Sequence, residues 1–440
     1  MQPKKYGLIW KFMAAKLLYK PRIADQLLER QLEAAGVVLI QGPKWCGKTT
    51  TAEHHARSKL YLDDPRTIQS NLLLADTDPA VLFQGDSPRL IDEWQLAPKL
   101  WDAARFVVSR RGTPGQLIFT GSAVPPDMTQ ITHSGTGRFA WLLMRPMSLW
   151  ESGESSGSVS LADIFSRSFF SLVNASDVTL QDIAYLTCRG GWPASVSLSR
   201  RAALLQAVNY VDAVANSDIS RVDNVSRNPD FALRLMRSYA RHQGTQASVN
   251  TLYADVASNL PSSMSEDTIA SYIQALKKIF VIEDMTAWNP NLRSKTAIRT
   301  SDTRYFVDPS IATAASGLGP NDLMQDLNTF GLLFETLAIR DLRVYADALD
   351  GKIYHYRDKT GLECDAVIHL RNGYYGLIEI KLGGDKLIEE GATVLKKLAK
   401  KIDTETMMSP SFMMVITAIG QYAYRRPDGV LVVPITCLKE

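Results

Sequence analysis

Short apolar runs alternate with stretches of helical spacing along the first third of the chain, the pattern of a parallel α/β sheet. Residues 37–41 (VVLIQ) are apolar and β-branched and lead into Gly42, which reads as a buried strand entering a turn. A helix is expected over 49–59, further strands at 60–62, 89–91 and 117–120, and another helix over 98–109. The pattern breaks after Trp150, where ESGESSGSVS at 151–160 reads as a linker or exposed loop. Roughly 161–287 then reads as mostly helical. Residues 231–242 have apolar positions at helical spacing, 248–256 form a second helix capped by Ser248, and Ser265 to Ile279 form a third with an acidic first turn. Phe280–Asp284 follows as a wing strand, so three helices and a hairpin give a winged-helix order. Mixed helix and strand return over about 330–436.

With 440 residues the chain exceeds one ordinary core. The reading divides it into a basic arm (1–20), a P-loop domain (21–155), a helical winged-helix-like domain (161–300) and an α/β C-terminal domain (301–440). Apolar residues at 45% and charged residues at 22% exclude a disordered or membrane protein as a whole-chain class. Lysines interrupt every apolar stretch near the start, so neither a signal sequence nor a membrane span is expected. Cys46, Cys188, Cys364 and Cys437 are scattered, without a CxxC pair, which argues against structural zinc and a disulfide scaffold and for a reducing cytoplasm.

Gly42-Pro43-Lys44-Trp45-Cys46-Gly47-Lys48-Thr49 fits GxxxxGK[ST]. The glycines let backbone N–H groups curl towards phosphates, and the following helix, through Thr50, points its N-terminus at the same anion. Lys48 is expected to reach the β- and γ-phosphates of ATP and Thr49 to ligate Mg²⁺. Leu90-Ile91-Asp92-Glu93 supplies the acidic strand end, with Asp92 holding Mg²⁺ and Glu93 orienting or deprotonating the attacking water. Thr120 and Ser122, at the end of the next strand, are candidate γ-phosphate sensors. Arg138 is a candidate arginine for the transition state, in cis or in a neighbouring copy.

A second constellation lies near the end of the chain. Glu379 and Lys381 are two apart on a strand and share a face, and Asp365 begins the strand before it. Asp365 and Glu379 are candidate Mg²⁺ ligands, Glu335 on a preceding helix an outer one, and Lys381 a group that positions water or steadies phosphate charge. This is the pattern of PD-(D/E)XK nucleases. His355 and His369 nearby read as structural.

The order of motifs resembles bacterial AAA-type ATPases that carry a C-terminal domain of unknown function, DUF4143. The resemblance runs from the phosphate loop through IDE-W-Q, TGS, GRF and RPMSLWE. It continues through Arg189-Gly190-Gly191-Trp192-Pro193, Trp288-Asn289-Pro290, Phe306-Val307-Asp308-Pro309, Phe330–Glu335 and Ile378–Lys381. It implies a P-loop ATPase core, a winged-helix-like middle and a restriction-endonuclease-like C-terminal fold. Many such proteins carry Arg-Asp-Ile in the helical region, where this chain has Ser217-Asp218-Ile219. The expected function is Mg²⁺-dependent ATP hydrolysis coupled to a nucleic-acid-acting, nuclease-like domain. A nucleotide-dependent scaffold without nuclease chemistry is the alternative. DNA is a candidate macromolecular partner, with a basic surface at Arg234, Arg237, Arg241, Arg293, Lys295 and Arg299 if the fold brings them together; a packing or partner-contact role of the helical region is the alternative, and a homo-oligomer is left open.

Overall fold

The computed structural model describes residues 19–121, 135–169, 172–175, 177–223, 225–257, 265–289, 301–402 and 407–440. The basic arm up to residue 18, Ser122, Arg293, Lys295 and Arg299 lie outside these residues.

The first layer is a parallel sheet of β1 (Val37–Gln41), β2 (Ser58–Tyr61), β3 (Arg89–Asp92), β4 (Leu117–Gly121) and β5 (Phe139–Leu143). Its order is β2-β3-β4-β1-β5, which places β1 between β4 and β5. Alternate residues of each strand serve different cores: Val37, Leu39, Ile91 and Phe119 on one face, Val38, Ile40, Leu90 and Ile118 on the other. A strand apolar on both sides has to be covered on both, which is why these segments read as continuous hydrophobic runs.

The expected linker at 151–160 is instead built into the fold. Ser155 is buried and donates its hydroxyl to the Leu438 carbonyl. β6 (Val159–Ser160) pairs in parallel with the last strand of the chain. β7 (Leu172–Asn174) goes on to edge the C-terminal sheet. Small polar residues there satisfy close backbone contacts rather than solvating a loop.

The middle region is helical as expected, over Leu180–Arg189, Arg200–Ala213, Pro229–Arg241, Val249–Ala257 and Glu266–Lys278. Thr179, Asn228 and Ser265 cap three of them through N–H bonds from Asp182, Phe231 and Thr268. The wing is not a regular strand among the described residues: single bridges join Ile282 to Phe306, Met285 to Thr303 and Ala287 to His355.

The helix Leu327–Ala348 is buried nearly all round and runs beneath the second sheet. That sheet adds β8 (Gly351–Arg357), β9 (Glu363–Leu370), β10 (Tyr375–Lys381), β11 (Phe412–Thr417), β12 (Tyr422–Arg425) and β13 (Leu431–Pro434) in the order β7-β12-β13-β11-β10-β9-β8. β14 (Leu438–Lys439) is the partner of β6. It is a mixed sheet, parallel across β10, β11 and β13 and antiparallel at its flanks.

Several motifs of the resemblance prove to be joints between these layers. Arg145 ion-pairs with Glu283 of the middle region and Asp347 of the long helix. Although burial opposes it, Arg145 and Arg343 hold the Glu283 carboxyl down at about 2. Ser148 and Glu151 cap each other's backbone, and Glu151 also receives Arg22 at 3.0 Å. Arg340 is fully buried between Asp308 at 3.0 Å and Asp341 at 2.7 Å. Asp308 in turn accepts the Gly191 N–H at 2.9 Å, and the buried Trp192 donates to Ser310 at 2.9 Å.

Candidate active site

The phosphate loop leaves β1 at Gly42 and turns directly into the helix Lys48–His55. The two glycines are required by geometry. A Cβ on Gly42 would stand 2.0 Å from the Met144 carbonyl oxygen, and Gly47 takes φ 103° at the helix N-cap. Lys48 is buried and donates to the carbonyls of Gly42 at 3.0 Å and Pro43 at 2.8 Å, folded over the loop where phosphates would sit. Thr49 Oγ1 donates to Asp92 Oδ1 at 2.9 Å, and Thr120 donates to the same oxygen. The pair expected to hold a metal is therefore assembled by two strands and a helix that meet at one end of the sheet. Burial raises the Asp92 carboxyl. Burial and the neighbouring Asp92 raise that of Glu93, which sits at φ 54° and accepts from Gln95. A base held above its ordinary pKa is a better proton acceptor once ionised.

Arg138 is not brought to this site within its own chain. Its carbonyl receives the Val37 N–H at the start of β1, roughly 13 Å of strand from the loop at ~3.3 Å per residue, and its guanidinium donates to Ser109. Parallel pairing of β5 with β1 puts the beginning of β5 at the end of the sheet opposite the loop. Lys44 turns outward and ion-pairs with Asp218 at 2.6 Å, while Trp45, at φ 67°, packs edge-on against Tyr210.

A cavity of about 660 Å³ opens over the loop, lined by Lys48, Thr49, Thr50 and Glu93 on one side and Pro193 and Gln206 of the middle region on the other. That is ample for a nucleotide. Tyr19 also lines it, stacked on His54 and bonded to Thr51 at 3.1 Å. Arg22 reaches the underside of the loop, donating to the Cys46 carbonyl at 2.8 Å. Tyr19, Arg22 and Gln206 escaped the sequence reading because no local motif marks them; Pro193 stood out within Arg189–Pro193, for its pattern rather than its place.

The C-terminal constellation also comes together. Lys381 Nζ lies 3.1 Å from Asp365 and 2.7 Å from Glu379, and the Ile380 N–H donates to Asp365 at 2.7 Å. Burial and Asp365 push Glu379 up to about 8 and raise Glu335, which accepts the Tyr305 hydroxyl. Among the described residues no group of three or more His, Cys, Asp or Glu side chains is arranged to hold a metal ion. His355 and His369 stand in the wall of this domain, and His369 accepts the Trp288 indole N–H at 3.2 Å.

Among the described residues no helix is long and apolar enough to cross a membrane. Compared with known proteins, the chain is 24% identical over 427 residues to the uncharacterized proteins Mb2031c of Mycobacterium bovis and Rv2008c of Mycobacterium tuberculosis, across 95% of this chain and 84% of theirs. A Walker-type ATPase of Pyrococcus abyssi aligns in structure with a TM-score of 0.41 and 14% identity, over 66% of this chain and 94% of that one. Residues 34–152 match the AAA domain family AAA_14, 180–322 a domain of unknown function, DUF8612, and 330–438 the domain of unknown function DUF4143. The chain thus joins an AAA-type P-loop ATPase domain to a C-terminal DUF4143 domain.

Proposed function

We propose that this protein hydrolyses ATP with Mg²⁺ at Gly42–Thr49 and couples that cycle to a nucleic-acid-acting site in its C-terminal domain. The observation that carries the ATP half is the convergence of Lys48, Thr49 and Glu93 on one cavity, with Asp92 accepting the Thr49 hydroxyl beside it. Thr49 and Asp92 offer hard oxygen donors at a helix N-terminus, a set that suits Mg²⁺. The metal would neutralise phosphate charge. Lys48 would leave the loop carbonyls for the β- and γ-phosphates, and Glu93 would take a proton from the attacking water. Nucleotide binding by the parent and by Lys48→Ala tests this half. Binding by the parent with loss in the variant is expected, and native affinity in the variant would overturn the assignment.

The C-terminal half rests on Asp365, Glu379, Glu335 and Lys381 sharing one partly accessible corner of β9, β10 and the long helix, which supports reading this mixed α/β region as a nuclease-like, PD-(D/E)XK-type domain. Asp365 and Glu379 would offer carboxylate oxygens to a divalent cation only after a rearrangement, since the Lys381 ammonium now bridges them and would have to yield. A cleft of about 450 Å³ lined by Arg234, Arg237 and Arg241 supplies a basic surface that favours DNA as partner. The Lys381 bridge favours the second reading, a nucleotide-dependent scaffold without cleavage. Plasmid cleavage with Mg²⁺ or Mn²⁺, compared between the parent and Asp365→Ala, separates the two. Cleavage lost in the variant supports the nuclease, and no metal-dependent cleavage by the parent supports the scaffold.

A further inference from the structure

Beside the nucleotide cavity lies a second one of about 390 Å³, lined from the ATPase domain by Lys44, Asp63, Glu93 and Gln95 and from the middle region by Asp218 and Arg221. Lys44 and Glu93 line both cavities, so the two meet at the loop beside the carboxylate proposed to activate water. The Lys44–Asp218 ion pair ties the loop to the π-turn Val214–Asp218, and Arg221 ends the helical turn that follows.

Hydrolysis builds negative charge on the γ-phosphate and its bridging oxygen, and ATPases of this chemistry commonly set an arginine there. The described arginines lining the two cavities are Arg22 and Arg221. Arg22 is committed: its guanidinium donates to the Cys46 and Arg145 carbonyls and to Glu151, with its side chain 4% exposed. Arg138 is at the start of β1 and β5, the end of the sheet opposite the loop. Arg221 is exposed and has no ion pair with the described carboxylates, so its guanidinium is free to take a new anionic partner.

We propose that Arg221 is the catalytic arginine of the ATPase, supplied in cis by the middle region and contacting the γ-phosphate across from Glu93. As the water oxygen bonds to the γ-phosphorus, the bond to the β–γ bridging oxygen breaks and its electron pair leaves with ADP. The water proton goes to Glu93, and Arg221 offsets the charge that grows on the phosphoryl oxygens. The middle region thereby senses whether the γ-phosphate is present, through the same turn that Asp218 anchors to Lys44.

This inference rests on the hydrolytic reading, and the test keeps the two apart. Steady-state ATPase rates are measured for the parent, Lys48→Ala, Arg221→Ala and Arg221→Lys, with ADP affinity and capture of ADP–aluminium fluoride as second readouts. A parent that hydrolyses ATP while Lys48→Ala does not establishes the reading itself. Arg221→Ala is then expected to lose kcat by ~10³-fold. Its ADP affinity should persist and its aluminium fluoride complex should be lost, with partial recovery in Arg221→Lys. Mixing Arg221→Ala with Glu93→Gln should restore nothing, because the arginine acts within its own chain. An Arg221→Ala enzyme that retains the parent's kcat and captures aluminium fluoride, or recovery on mixing, would overturn the proposal.

Discussion

At the scale of single residues, charge and burial decide the chemistry. In the proposed hydrolysis Glu93, buried beside Asp92 with its pKa raised, is the group that accepts the proton. Glu93→Gln keeps the shape and removes the base. It should lower kcat by ~10²–10⁴-fold while nucleotide affinity holds, as read by steady-state rates and a fluorescent nucleotide. Equal loss of affinity and rate would show Glu93 to be structural. Glu379 obeys the opposite logic to a salt-bridged surface acid. Its folded pKa of about 8 lies above the ordinary 4.5, so the fold binds the proton more tightly than the unfolded chain does. The stability this contributes is complete below the ordinary value and is lost as pH rises towards 8. Glu379→Gln removes the titration, so its urea midpoint should fall less than the parent's between pH 5 and 8. Identical pH slopes in the two proteins would refute the shift.

At the scale of elements, the turn Gly190–Pro193 sets the roof of the nucleotide cavity. Gly191 is pressed against the ATPase domain: the Met147 N–H donates to its carbonyl at 2.6 Å, and a Cβ would come 2.1 Å from the Met147 carbonyl oxygen. Gly191→Ala must therefore shift backbone, at a cost of ~1–3 kcal/mol, and carry Pro193 away from the nucleotide. A lower thermal midpoint together with weaker ATP binding is expected; a variant unchanged in both would show the contact to be slack. The elements themselves were mostly legible. β1, β3 and β4 fell where the apolar runs placed them, and the helices Pro229–Arg241 and Glu266–Lys278 followed their periodicity and caps. The serine-rich 151–160 was not legible, since its order comes from β14 at the other end of the chain. The wing was legible in part: Ile282 and Met285 pair antiparallel with Phe306 and Thr303 in one register, but through isolated bridges rather than a regular strand.

At the scale of the molecule, buried arginines join the three regions. Arg145 belongs to the ATPase domain, Glu283 to the middle region and Asp347 to the long helix of the C-terminal region. Removing Arg145 strands two carboxylates in a partly desolvated joint, where a broken buried pair costs ~3–5 kcal/mol. Arg145→Ala should lower the unfolding free energy by that amount, with a lower denaturant midpoint, and split unfolding so that the ATPase domain melts apart from the rest, as read by tryptophan fluorescence and calorimetry. A single transition at the parent's midpoint would show the joint to be dispensable. Because Glu283 is held below its ordinary pKa, the joint's contribution is present above about 4.5 and fades as pH falls towards 2.

The sequence by itself determined what depends on neighbours along the chain. The phosphate loop, its strand and helix, the Asp92–Glu93 pair and the same-face placement of Glu379 and Lys381 each follow from spacing within a few residues, where backbone geometry leaves little choice. Tertiary structure decided what depends on direction and distance. The parallel sense of β5 took Arg138 away from the loop, and packing of the helical region brought Pro193, Asp218 and Arg221 to it. Those residues lie more than a hundred positions from Lys48. Local propensity carries no term for such a pairing, and only the burial of whole faces against one another fixes it.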